Sequence, residues 1–218
     1  MQVKHAIFDM DGTLLDSMYV WDNVGRTVLE NYGVPVPEDL RQVMRSMTVE
    51  DTAQYFCRLG VQDAPKAVEA QINRIPYEKY LYEVQPKPGA VEFLCHLQKL
   101  QVPMCIVSST DEKSIRAAFD RLHLTKLLSF ILSTCDFGSG KDKPEIFYEA
   151  ARRLGGRPED TTVFEDALYA IHTAKTAGFQ VVALEDARAK NEREEIRKQA
   201  DIYLPDLRSF PWEKEQSL

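Results

Sequence analysis

Four places in this chain gather reactive side chains, three of them directly after a short apolar run and one in a glycine-rich loop before a proline. The first is Phe8-Asp9-Met10-Asp11-Gly12-Thr13, with two acids two positions apart. In extended backbone such positions point the same way, so the pair would share one face. Gly12 then permits a tight turn. Two carboxylates held that close repel, and need a shared proton or a cation. Mg²⁺ together with a phosphate group would supply the cation. An ordinary acidic turn built on Asp11-Gly12 uses the same residues.

The second place is Met104-Cys105-Ile106-Val107, followed by Ser108-Ser109-Thr110-Asp111. Hydroxyls and backbone N–H groups at the start of a helix suit an anion. The same cluster could simply cap Ser114 and its neighbours. The third is Gly138-Ser139-Gly140-Lys141-Asp142-Lys143-Pro144, where a glycine-flanked lysine could hold a phosphate oxygen or merely decorate a surface loop. It is not a Walker A loop. Asp142 follows Lys141 where Ser or Thr is needed, and Cys135 stands in place of the first glycine. The fourth run, Thr161-Thr162-Val163-Phe164, ends in Glu165-Asp166. That pair suits a metal, and Asp166 as a helix N-cap is the plainer reading.

These residues need elements that bring them together. Apolar β-rich runs at 3–8, 102–107, 130–132, 161–164, 179–184 and 201–204 alternate with helical patterns at 89–100, 111–122, 144–154, 167–177 and 187–199. Such alternation predicts βαβ units around a parallel sheet buried on both faces. In sheets of that kind ligands sit beyond the carboxyl ends of the strands. All four reactive clusters lie there. Between about Ser17 and Gln85 the alternation stops and helical patterns run at 18–32, 37–44, 48–59 and 64–82, the last interrupted by Pro76. Thr48 and Asp51 make a weak capping box. The stretch Gln85-Pro86-Lys87-Pro88-Gly89 reads as a stiff linker. The expected architecture is therefore α/β, a Rossmann-like doubly wound parallel sheet formed by 1–16 and 87–218. A small all-helical domain, 17–86, is inserted after the first strand.

Composition narrows the function. The chain has 218 residues, 44% of them apolar and 28% charged, enough for a globular core. Its net charge of −7 argues against nucleic acid as a partner. No apolar run is long enough to span a membrane, and no long apolar stretch precedes Asp9, so a secretory signal is not expected. The four cysteines form no CxxC pair, which disfavours zinc and suits reduced thiols in the cytoplasm. No coiled-coil pattern is present, and a monomer is expected.

Taken together, an acid pair, a hydroxyl, a lysine and a second acid pair in this order resemble the haloacid dehalogenase superfamily. The matching residues are the Asp9-x-Asp11-Gly12-Thr13 start, Ser108, Lys141 with Pro144-Glu145-Ile146-Phe147, and Glu165-Asp166. The helical insert is similar to the small cap of the β-phosphoglucomutase-like and phosphoglycolate phosphatase-like branch. This resemblance implies a Mg²⁺-dependent phosphatase acting on a small phosphorylated metabolite such as a sugar phosphate. Asp9 would be the nucleophile that becomes an aspartyl phosphate. Asp11 would be the general acid and base, a role that needs a pKa above that of Asp9. Mg²⁺ would be held by Asp9, the Asp11 carbonyl and Asp166, with Glu165 close by. Lys141, Ser108 and the Ser109 N–H would cradle the phosphate. In the cap, Arg45 could grip a second anionic group or simply be a solvated arginine at a helix end. Trp21 with Tyr19 could line the cleft, although the apolar face of the helix over 18–32 favours core packing for them.

Two departures from the family pattern bear on the chemistry. β-Phosphoglucomutases carry a histidine on the first cap helix, and its place falls on Trp21 here. No histidine lies in the insert. This disfavours the alternative of a sugar phosphomutase. Ala167 stands where many relatives have serine after the acid pair.

Overall fold

The computed structural model describes residues 1–44, 47 and 49–212. The chain divides into two compact units, Met1–Asp16 with Gln85–Leu218, and Ser17–Val84. The second unit contains α1 (Met18–Asn31), α2 (Leu40–Met44), α3 (Val49–Leu59) and α4 (Pro65–Tyr82). The first contains β1 (His5–Phe8), β2 (Leu15–Asp16), β3 (Gln85–Pro86), α5 (Ala90–Lys99), β4 (Met104–Ser108), α6 (Glu112–Arg121), β5 (Phe130–Ser133), α7 (Thr134–Phe137), α8 (Glu145–Leu154), β6 (Thr161–Glu165), α9 (Leu168–Thr176), β7 (Gln180–Leu184), α10 (Arg193–Gln199) and β8 (Ile202–Leu204).

Six parallel strands form one sheet in the order β5-β4-β1-β6-β7-β8. All six coincide with the apolar runs of the sequence. Burial on both faces explains their unbroken apolarity: β4 and β6 are buried at every residue. On one face Ile7, Cys105, Val163 and Val181 pack with Ile146 and Ile171 of α8 and α9. On the other, Phe8 stacks on Phe164 with centroids 4.4 Å apart, and Phe93 of α5 meets both edge-on. β1 stands mid-sheet with the strand order running opposite ways from it, which makes its exit the switch point of the sheet.

Register fixes which residues meet there. Phe8 pairs with Ile106 on one side and with Phe164 on the other. Asp9, one step beyond, donates its N–H to the Phe164 carbonyl at 2.9 Å. The exits of β4, β1 and β6 are therefore level, with neighbouring strands roughly 5 Å apart.

Three sequence expectations are corrected. Pro76 does not interrupt α4, which runs unbroken over eighteen residues. A proline removes one N–H and crowds the carbonyl four residues back, but Pro76 is buried, and packing of α4 on α1 and α3 holds the helix together. The predicted helix over 187–199 is two pieces, a 3-10 turn at Ala187–Ala189 and then α10. Asp186 accepts from the Arg188 N–H and closes the first. The charged run that follows offers nothing to bury until Ile196. Finally, the presumed linker is a strand: Gln85 and Pro86 pair antiparallel with Asp16 and Leu15.

In the helical unit α1, α3 and α4 share a core that includes Val28, Leu29, Phe56, Val68 and Ile72. Thr48 of the capping box lies outside the described residues. Among the described residues no helix is long and apolar enough to cross a membrane.

Candidate active site

Four of the predicted residues meet at the exits of β1 and β6. Lys141 reaches in from the loop before α8 and is 3% exposed. Its ammonium donates to Asp9 Oδ1 at 2.5 Å and to Glu165 Oε1 at 2.7 Å. Lys141 is thus part of the buried cluster, not a surface cation on a loop. Asp9, Glu165 and Asp166 bring one oxygen each within 4.8 Å of one another. Glu165 Oε2 also accepts the Asp166 N–H at 2.9 Å, so both of its oxygens are engaged. Asp166 Oδ1 accepts from the Thr13 hydroxyl at 3.1 Å. Asp166 does not cap α9; that position is Ala167, which offers no side-chain acceptor.

Charge decides what this cluster needs. Three carboxylates against one ammonium leave two surplus negative charges when all are ionised. Burial, then Glu165, pushes the Asp9 carboxyl up to about 8, against the opposing pull of Lys141. Burial, then Glu165 and Asp9, raises Asp166 well above its usual range. Burial works to lower the Lys141 ammonium, but Asp9 and Glu165 outweigh it and hold it well above the ordinary lysine value. The elevated carboxyl thus belongs to the nucleophile candidate itself, because Asp9 is buried beside another acid.

Asp9 Oδ2 is the decisive atom. It is buried and has no hydrogen-bond partner. A buried carboxylate oxygen left unpaired is costly, unless something else coordinates it. A divalent cation fits on three counts: it pairs with Oδ2, offsets the surplus of two charges, and takes hard oxygen donors. Gly12 makes room on the same side. Its φ is +88°, and a Cβ there would fall 2.5 Å from Asp166 Oδ2. Any side chain at 12 would be strained and would strike the acid.

Asp11 and the second motif lie together. Thr110 Oγ1 donates to Asp11 Oδ2 at 2.6 Å. Ser108 is buried, and its hydroxyl oxygen accepts the Thr110 N–H at 3.1 Å. That leaves the Ser108 O–H able to donate. Ser133 donates to the Thr110 carbonyl at 2.8 Å. Capping of α6 falls to Asp111 alone, which accepts from the Ser114 N–H at 3.0 Å. Ser109 is exposed, and beside it burial raises the Tyr169 phenol above its ordinary value, against the pull of Lys141. Thr110 and Tyr169 were not singled out by the sequence reading. Thr110 was visible as a third hydroxyl at the β4 exit, whereas Tyr169 carried no signal.

In the helical unit the Trp21 indole N–H donates to the Tyr80 hydroxyl at 2.9 Å. Trp21 and Tyr19 stand off the buried stripe of α1, which is Val20, Val24, Val28 and Leu29. Arg45 lies outside the described residues.

Comparison with known proteins agrees with this geometry. A family model for haloacid dehalogenase-like hydrolases matches residues 3–178. The chain belongs to that family. A probable pseudouridine-5'-phosphatase of Drosophila melanogaster is 30% identical over 215 residues, covering 95% of this chain and 92% of its own. A (DL)-glycerol-3-phosphatase of Arabidopsis thaliana is 28% identical, covering 96% and 91%. The crystal structure of a Clostridium difficile β-phosphoglucomutase superposes with a TM-score of 0.70 at 16% identity, over 97% of this chain and 94% of that one. The last shows the shared fold. The family and its phosphatase members place this chain among the phosphoric monoester hydrolases.

The bare start of α9 gives a direct test. Ala167 is extended, at φ −90° and ψ 124°, with no cap bond. Ala167→Ser is expected to stabilise the protein by about 1 kcal/mol by capping α9. Thermal unfolding measures it, and a melting temperature unchanged or lowered counts against the cap geometry.

Proposed function

We propose that this protein is a Mg²⁺-dependent phosphatase of small phosphorylated metabolites, sugar phosphates or similar, working through a phosphoaspartate on Asp9. The observation that carries the reading is the buried, partnerless Asp9 Oδ2 beside Lys141, Glu165 and Asp166. The similarity to phosphatases of phosphorylated sugars and polyols supports the substrate class.

Asp9 and Asp166 would hold the cation together with the Asp11 carbonyl, and Glu165 would keep Lys141 and the Asp166 backbone in place. When bound, Mg²⁺ screens the phosphate charge from the nucleophile and stabilises the charge of the transition state. An Asp9 oxygen attacks phosphorus in line, and the bond from phosphorus to the ester oxygen breaks. Asp11 gives its proton to the departing alkoxide. It then takes a proton from water, whose oxygen attacks phosphorus; the Asp9–phosphorus bond breaks and phosphate leaves. Lys141 and the Ser108 O–H hold phosphate oxygens, with the Ser109 N–H beside them.

A mutase would need a second proton-handling group. At the place where such enzymes carry histidine, Trp21 offers only an indole N–H, already given to Tyr80. An indole has no titration near neutral pH. The reading therefore favours release of phosphate. A cytoplasmic monomer completes it, the four free cysteines suiting a reducing compartment.

A panel of phosphorylated metabolites, assayed for phosphate release with Mg²⁺ and with EDTA, tests the reading. Release that needs Mg²⁺ and is lost in Asp9→Asn supports it. Conversion of β-glucose 1-phosphate to its isomer without free phosphate would overturn it. Thr110 supplies a finer test. Thr110→Val deletes the hydroxyl that orients Asp11 and is expected to lower kcat about tenfold with KM little changed. Thr110→Ser keeps the hydroxyl and should recover most of the rate. Steady-state kinetics of the pair decide it, and equal rates in both would remove Thr110 from the mechanism.

A further inference from the structure

Lys87 sits between two prolines in the stretch that the sequence suggested was a mere linker. Its ammonium has three hydrogens and finds three acceptors: the Gly12 carbonyl at 2.5 Å, the Glu185 carbonyl at 2.9 Å and Asp186 Oδ2 at 3.3 Å. The ion pair is largely buried, with the Lys87 side chain 15% exposed and that of Asp186 10%. A lysine with two backbone carbonyls among its partners is tying segments together, not just balancing a charge.

The sheet order shows which segments. Gly12 belongs to the turn after β1, and Glu185-Asp186 follow β7 directly. Between β1 and β7 lies β6, whose exit carries Asp166. The Lys87 side chain therefore straddles the β6 exit, fastening the strand ends on either side. The Gly12 turn leans on Asp166 so closely that a single methyl would collide with it. On the other flank, Asp186 Oδ2 takes the Lys87 ammonium in a largely buried ion pair directly after β7. The Lys87 backbone is anchored too: its N–H donates to the Leu14 carbonyl at 2.8 Å, next to the β2–β3 pairing.

We propose that Lys87 is a positioning residue for the cation seat: it fastens the Gly12 turn to the β7 exit and so fixes the gap in which Asp166 stands beside Asp9. It also pairs Asp186, keeping that acid from joining the cluster. Lys87 touches no reacting atom in this scheme, which rests on the phosphatase reading for its kinetic consequence but not for its effect on cation binding.

The test uses the full-length protein as wild type, Lys87→Met and Lys87→Arg. Mn²⁺ is titrated without substrate by electron paramagnetic resonance, and the kinetics of phosphate release are measured separately. Lys87→Met is expected to bind Mn²⁺ roughly 10- to 100-fold more weakly and to lose kcat by a similar factor, with KM within about twofold. Lys87→Arg retains donors and should recover a substantial part of both. Thermal unfolding with EDTA reports any general loss of stability. Should Lys87→Met not fold, Lys87→Gln, which keeps an N–H donor, takes its place. A Met variant that melts lower but binds Mn²⁺ like wild type would overturn the proposal, as would equal losses in Met and Arg. Wild-type protein that binds Mn²⁺ but releases no phosphate would refute the phosphatase reading alone.

Discussion

Asp9→Asn is expected to release phosphate from its best substrate ~10⁴-fold more slowly than wild type or worse, about 5 kcal/mol or more of added barrier. The change is nearly isosteric, so the loss belongs to chemistry. An amide is a poor nucleophile toward phosphorus and cannot carry the charge that Lys141 faces. Lys141 keeps an acceptor, since the amide oxygen can occupy the place of Oδ1, 2.5 Å from its nitrogen. The fold should therefore survive, and one of three crowded acids is gone. A rapid quench of wild type with substrate should trap a protein heavier by one phosphoryl group, absent from the variant. If Asp9→Asn turned over at the wild-type rate, the activity would not come from this site. If the label appeared on another residue, Asp9 would not be the nucleophile.

Much of this site could be read from residue types at strand exits. Asp9, Glu165 and Asp166 are acids at the ends of apolar runs and Lys141 is a base in the loop before a proline-started helix, and the parallel sheet brings such positions to one edge. What escaped were partnerships across long stretches of chain. Lys87 serves Gly12, 75 residues away, and Thr110 serves Asp11, 99 residues away. No local pattern encodes either, because a lysine between prolines and a threonine after two serines look the same with or without their distant acceptors. The burial of Lys141 was hidden for a related reason. Glycines on both sides suggested a mobile loop, whereas two carboxylates draw the side chain inward. Pro76 shows the opposite failure, where a local rule was strong but tertiary packing outweighed it. Trp21 shows a third: its indole partner, Tyr80, lies 59 residues on.

The same crowding of acids predicts how stability should respond to pH and metal. Asp9 is held up to about 8, against an ordinary value of 3.8, and Asp166 is raised as well. For an acid whose pKa is higher folded than unfolded, the folded chain holds more protons between the two values. Stability then falls as pH rises through that window. Below about pH 4 both states are protonated and Asp9 makes no difference; above about pH 8 the full penalty is present, on the order of several kcal/mol. The raised Lys141 does not mask the trend. Its contribution is present below the unfolded lysine value and is lost only at higher pH, so it is constant across this range. With EDTA the melting temperature should therefore drop between pH 5 and pH 8, and the drop should be much smaller in Asp9→Asn. Mg²⁺ competes with protons for the same oxygens, so it should stabilise wild type far more at pH 8 than at pH 5. At about 100 times its dissociation constant a ligand adds about 2.7 kcal/mol. Taking the difference between wild type and Asp9→Asn removes the histidines and surface acids common to both. A wild-type curve parallel to that of the variant, unmoved by Mg²⁺ at pH 8, would mean that the acids of β1 and β6 do not share a cation, and the catalytic assignment of Asp9 would fall with it.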